Sequence, residues 1–227
     1  LMHLTPGDPA AIIAGDYARP EDIARIRKQL GLDQPLYMQF VTWLFAILQG
    51  DLGTSIFSNL PVSHLIQQRL EPTVMLSLST TIFSVALAVP MGVWAAWRSG
   101  TVIDRSVMIF AVLGFSVPVF VIGYVLMYVF SLGLGWFPVQ GYTSISEDFV
   151  GFLQSLALPT FALGMFYIAL IARISRASML EVLGEDYIRT ARAKGASELS
   201  TLMLHALKNA AVPIITVIGI GIALLIG

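Results

Sequence analysis

TVMLSLSTTIFSVALAVPMGVWAAW, Thr73 to Trp97, holds no charged residue. A membrane-crossing helix needs about 20 consecutive, mostly apolar residues, and this run exceeds that length. Two more stretches do the same without a charge, Val107–Leu134 and Phe152–Ala172, and a fourth begins near Ala211 and continues to Gly227. The alternative, buried helices of a large soluble protein, does not suit three such runs in one short chain. Composition agrees: 56% of residues are hydrophobic and 12% charged, against about 25% charged in a soluble domain. The fold class expected is all-α, a polytopic membrane helix bundle with short outer helices.

Basic residues orient the spans. Arg98 and Arg105 lie between the first two, and Arg173, Arg176, Arg189, Arg192, Lys194 and Lys208 follow the third. The loop between them, Gly135–Gly151, has no Lys or Arg but carries Glu147 and Asp148. Positive-inside logic puts both basic segments in the cytoplasm and Gly135–Gly151 outside. Residues 1–72 then also lie outside, which requires a span upstream of Leu1. In this outer region Pro20–Leu30 reads as a helix with Ile23, Ile26 and Leu30 on one face, stopped by Gly31. Pro35–Leu48 reads as an apolar helix too short to span, with Pro at its first position. Lacking a Lys/Arg-rich face, it is expected to pack rather than lie on lipid. The region either meets a substrate-delivering protein or caps the bundle.

EVLGEDYIRTARAKGASELSTLMLHALKNAAVP, residues 181–213, is a polar segment with helical punctuation between apolar runs. Tyr187–Lys194 reads as a short amphipathic helix with Gly195 just past its end. Ser197 can cap a second helix with Glu198 in its first turn, where the helix dipole favours a carboxylate. Pro213 marks re-entry into an apolar run. A helix–Gly–helix element joined to spans on both sides suits a lever that another protein pushes; the pattern alone equally fits a plain connector.

DYIRTARAKGASELSTLMLHALKNAAVPIIT, Asp186 to Thr216, resembles the cytoplasmic loop of permease subunits of bacterial ABC importers for dipeptides and oligopeptides. That family also carries PGDP, here Pro6–Pro9, GLDQP, here Gly31–Pro35, and GDLGTS, here Gly50–Ser55, and all occur in the family's order. The general importer loop is written EAA followed, after three residues, by Gly. Gly195 matches, whereas Arg189-Thr190-Ala191 stand where EAA would be, and His205-Ala206-Leu207-Lys208 replace an Ile-x-Leu-Pro ending. Both departures are typical of the peptide and nickel branch.

The resemblance implies a type-1 permease fold in a bacterial cytoplasmic (inner) membrane. Residues 1–68 would be an extracytoplasmic segment after a first span, and 69–227 the transmembrane domain, short of its last spans. The coupling loop would fall within 173–210, its working part being Asp186, Tyr187, Arg189, Thr190, Ala191, Arg192, Ala193, Lys194, Gly195 and Ser197. Implied partners are a second, similar permease chain, two cytoplasmic ATPase subunits and an external substrate-binding protein. ATP is then used by the partners, and this chain binds no cofactor.

Other chemistry finds little footing. No Gly-x4-Gly-Lys-[Ser/Thr] phosphate loop is present, because Lys194-Gly195 has the order reversed. His3, His64 and His205 are far apart and fall on both expected sides, which argues against a metal site. Cysteine is absent, so there is no thiolate site, and the net charge of −1 makes no case for nucleic acid, which needs a basic stripe. Adjacent carboxylates such as Glu147-Asp148 read as helix starts or turns. No enzymatic activity is expected. The spans also lack the ionisable residues that proton-coupled carriers usually hold in the membrane. Ser77, Thr80, Ser84, Ser116, Tyr124 and Tyr128 are candidates to line a path for polar peptide backbones, or else to hydrogen-bond between helices. The reading is a peptide importer permease. Its alternatives are the same architecture carrying a nickel chelate, glutathione or another small solute, and a channel or secondary carrier with a merely structural loop.

Overall fold

The computed structural model describes residues 8–227 apart from 16–17, 30, 56–57 and 59. The chain divides into two compact units, Leu1–Leu70 and Glu71–Gly227.

In the first unit the PGDP motif writes a helix start. Asp8 caps α1 (Pro9–Ala14), its carboxylate accepting from the Ala10 N–H at 3.1 Å, and Pro9 takes a first-turn position where no N–H is needed. Asp8 also pairs with Arg27 of α2 (Pro20–Gln29). Helix α2 follows the dipole rule, with Glu21 and Asp22 in its first turn and Arg27 and Lys28 in its last. Leu30, expected on its apolar face, lies outside the described residues. Helix α3 spans Leu36–Leu48, with Pro35 flanking it in an extended conformation (φ −56°, ψ 143°) rather than occupying the first helical position, and no residue of α3 is buried. The turn-rich segment after it closes on Asp51, whose carboxylate accepts from Gly53 N–H at 2.8 Å, and on a bridge between Thr54 and Pro61.

The second unit opens within α4 (Val62–Trp97) and continues through α5 (Val102–Ser116), α6 (Val119–Leu126) and α7 (Phe149–Leu183). Helix α6 runs on as a π-helical turn, Met127–Gly133. Beyond α7 come α8 (Asp186–Ala193), a short α9 (Glu198–Ser200), a second π-helical turn at Thr201–Ala206, and α10 (Leu207–Ile226). Among the described residues, three helices are long and apolar enough to cross a membrane: Val62–Trp97, Phe149–Leu183 and Glu198–Ile226. The run Val107–Leu134, expected as one uninterrupted span, is instead a pair of helices bent by 94°. The break sits at Val117-Pro118. A proline pushes the residue before it out of the helical region, and Val117 is extended (φ −95°, ψ 120°).

Helix α7 packs on α5, α6 and α10, and α4 lies against it through close glycine contacts. A Cβ on Gly92 would fall 2.5 Å from Ser175 Cβ and 2.7 Å from the Ala172 carbonyl oxygen. On α5, a Cβ at Gly114 would meet Ala169 Cβ at 2.8 Å; on α10, one at Gly221 would meet the Tyr167 ring at 2.9 Å. Small residues let backbones approach where lipid supplies no hydrophobic drive, leaving dispersion and interhelical hydrogen bonds to hold the bundle. One such bond joins Ser79 and Thr160 at 2.8 Å.

Helix continues further into the polar segment than its composition suggests. Much of the stretch read as a loop from 173 to 210 is helical: α7 persists to Leu183, and Glu198 begins the last span. Pro213 lies inside α10 rather than at its edge. Just upstream, the Asn209 side-chain amide donates to the His205 carbonyl at 2.7 Å, satisfying a carbonyl at the π-helical turn before that proline.

Candidate functional site

Helix α8 is a short polar cylinder held by a single apolar side chain. Ile188 is fully buried and joins Met179, Leu202 and Ala206 in the core cluster. The flanking Asp186, Tyr187, Arg189, Thr190, Arg192 and Ala193 are exposed, as are Lys194, Gly195 and Ser197, and Ala191 is half-buried. Arg189 reaches Asp186 at 3.3 Å across one turn, an exposed pair of small energetic weight. The Thr190 hydroxyl donates back to the Asp186 carbonyl at 3.0 Å.

The end of α8 is sharply defined. Gly195 has φ 84°. Its N–H donates to the Arg192 carbonyl at 2.9 Å, and the Ala196 N–H donates to the Ala191 carbonyl at 3.1 Å. That pair of bonds is the Schellman arrangement, which requires a left-handed residue at the glycine position. Ser197 then caps the next helix, its hydroxyl accepting from the Ser200 N–H at 3.3 Å. Arg192 and Glu198 bridge the turn at 3.4 Å, so the corner between α8 and the last span is closed by both backbone and charge.

Two features escape a sequence reading. Ile188 anchors the whole element, and its signal is only that it is an aliphatic side chain in an otherwise polar helix. Arg176, counted for its charge alone, forms a fork with Asp104, with Arg176 Nη2 donating to Asp104 Oδ2 at 2.8 Å and Nε to Oδ1. Asp104 is 4% exposed and also accepts from the Gly100 N–H at 2.9 Å. No local pattern announces a pair separated by 72 residues. At the other end of the helices Glu71 accepts from the Tyr142 hydroxyl at 2.9 Å and the Ser144 hydroxyl at 2.7 Å. Burial and, after it, the Glu71 carboxylate push the Tyr142 phenol up to about 12.

The candidate path residues separate into two groups. Ser77, Thr80 and Ser84 are buried in helix packing. Ser77 donates to the Leu225 carbonyl and Ser84 to the Gly164 carbonyl, each at 3.4 Å, while Thr80 Oγ1 has no partner among the described residues. Ser116, Tyr124 and Tyr128 are exposed, on α5, α6 and the π-helical turn that continues α6. His64 is paired with Gln68 at 2.9 Å on the surface of α4, and His205 lies in the π-helical turn leading into α10.

Comparison with known proteins places this arrangement. Residues 88–227 match the family described as "Binding-protein-dependent transport system inner membrane component", and residues 1–82 match the corresponding N-terminal family. The chain is 56% identical, over its whole length and 72% of the relative's, to a probable peptide ABC transporter permease protein of Sinorhizobium fredii. It is 46% identical to a putative peptide transport system permease protein of Brucella abortus, again over all of this chain and 72% of that one. A glutathione transport system permease protein of Salmonella paratyphi A is 44% identical over all of this chain and 71% of its own length. The chain therefore belongs to the binding-protein-dependent transport system inner membrane components, as a multi-pass ABC transporter permease of the bacterial inner membrane.

Proposed function

We propose that this permease forms part of the translocation path for short peptides and is driven through α8 by separate ATPase subunits. The observation that carries the reading is the build of α8: one buried anchor, a bare polar face, and a rigid glycine corner leading directly into a span. Such an element transmits displacement rather than absorbing it. Asp186, Tyr187, Arg189, Thr190, Arg192, Ala193 and Lys194 form the docking surface, with Ala191, Gly195 and Ser197 shaping it. ATP is bound and hydrolysed by the partner subunits, and this chain holds no cofactor. A second permease chain completes the path, and an external binding protein delivers the solute. Short peptides are supported by the names of the relatives, and glutathione, itself a tripeptide, falls within the same class. Ser116, Tyr124 and Tyr128 supply hydroxyls to the path. Transport then proceeds by rocking of packed helices between two arrangements.

The test is uptake of a labelled dipeptide by cells carrying variants of the full-length chain. Arg192→Glu removes the bridge to Glu198 and reverses a charge on the docking surface. Gly195→Val forces a β-branched residue into the left-handed region, where it is strongly disfavoured. Both should leave membrane abundance near normal, lower uptake, and lower recovery of the ATPase subunits on purification. Normal uptake by both variants would make α8 a plain connector.

A further inference from the structure

We propose that the Asp104–Arg176 fork is the positioning contact that carries movement of α8 into the bent α5–α6 segment, an inference that rests on α8 being the ATPase-docking element. Helix α7 leads into α8 through a tight turn in which Gly184 N–H donates to the Glu181 carbonyl and Glu185 N–H to the Val182 carbonyl, each at 3.1 Å. A push on α8 is thus delivered to the inner end of α7.

Three consecutive contacts then tie α7 to α5. Arg176 grips Asp104, the Arg173 guanidinium sits 5.2 Å from the centre of the Phe115 ring, and Ala169 closes on Gly114. Positions 169, 173 and 176 share one helix face, following the spacing at which helical side chains align. Helix α5 is therefore held at both ends. Immediately beyond its held outer end comes the 94° bend, and after it the exposed Tyr124 and Tyr128.

The fork is the directional member of the set. A guanidinium meeting a carboxylate through parallel hydrogen bonds fixes distance and angle together, which an apolar contact does not. Stability alone is a poor reason to keep such a pair, since well-packed apolar residues usually serve as well. Asp104 also accepts from Gly100 N–H, so the inner turn between α4 and α5 is held by the same carboxylate. Displacement of Arg176 by α7 must then be followed by the start of α5.

Tyr128, which is 71% exposed, takes a cysteine reporter, Tyr128→Cys, in a complex whose other subunits and remaining segments carry serine in place of any cysteine. The full-length permease, assembled with its partner permease and ATPase subunits in proteoliposomes, is labelled with an impermeant maleimide, without nucleotide and with ATP plus vanadate. In the parent the labelling rate differs between the two states. The paired variant Asp104→Asn/Arg176→Gln, which leaves no lone buried charge, should reduce that difference about tenfold, the scale of a typical coupling between sites. ATPase subunits should remain bound and hydrolyse ATP. Arg176→Lys, which keeps the charge and removes the fork, should also reduce the difference. A full nucleotide response in either variant would overturn the assignment. A parent that shows no response, with α8 variants that still retain the ATPases, would instead overturn the reading of α8 on which it rests.

Discussion

Gly92 and Gly195 are both irreplaceable in this account, for unlike reasons. A Cβ at Gly92 would strike Ser175 Cβ at 2.5 Å and the Ala172 carbonyl oxygen at 2.7 Å, so α4 and α7 would have to separate. Overpacking of this kind costs about 1–3 kcal/mol. Around Gly195 a Cβ would meet nothing within 4 Å, and the constraint is the φ of 84° alone. Forcing an L side chain into that conformation costs about 1–2 kcal/mol, paid locally at the corner after α8. Gly92→Ala and Gly195→Ala are therefore both expected to lower the melting temperature of the purified permease, and Gly195→Ala alone also weakens ATPase recovery. Equal melting temperatures for Gly92→Ala and the parent would remove the close α4–α7 contact from the account. Ile188 belongs to the same scale: being fully buried under α8, it decides where the polar surface sits.

At the level of elements, the bent α5–α6 pair is the part of the bundle set most directly by one residue. Pro118→Ala restores an N–H and frees Val117 to enter the helical region. The pair should then straighten towards one continuous span, which a spin-label distance between Ile109 and Tyr128 would report as an increase. An unchanged distance would show that packing on α7 alone imposes the bend. The apolar run is legible in the sequence but its break is not, because an uncharged stretch has the same composition whether straight or folded. Pro118 was visible, yet prolines 72, 90, 159 and 213 all sit inside continuous helices, so proline by itself does not decide. The corner at Gly195 was legible in advance, since a glycine following Lys194 and a serine cap are local signals. The anchoring of α8 by Ile188 and the fork between Asp104 and Arg176 were not, because both depend on segments distant in sequence meeting in space. Where a polar stretch ceases to be helix was also obscured: Arg173 and Arg176 look like loop charges until Phe115 and Asp104 are placed opposite them.

Over the whole molecule, charge is divided along the chain. The basic residues within and beside α5 and α8 belong to segments read as cytoplasmic, and the segment containing Glu147 and Asp148 to the outer side. That outer segment is fastened to α4 by Glu71, through Tyr142 and Ser144, so it is a braced cap and not a loose connection. Force on the inner side therefore meets helices joined at both ends, which favours rocking over local bending. The claim that α8 receives this force from an ATPase is tested most directly by proximity. A photo-crosslinking residue is placed at Arg189, whose side chain is 74% exposed, and separately at the exposed Glu147, in the full-length chain within native membranes. Irradiation should join the Arg189 position to an ATP-binding subunit and leave the Glu147 position free of it. Absence of that adduct from Arg189, or its appearance from Glu147, would contradict the account.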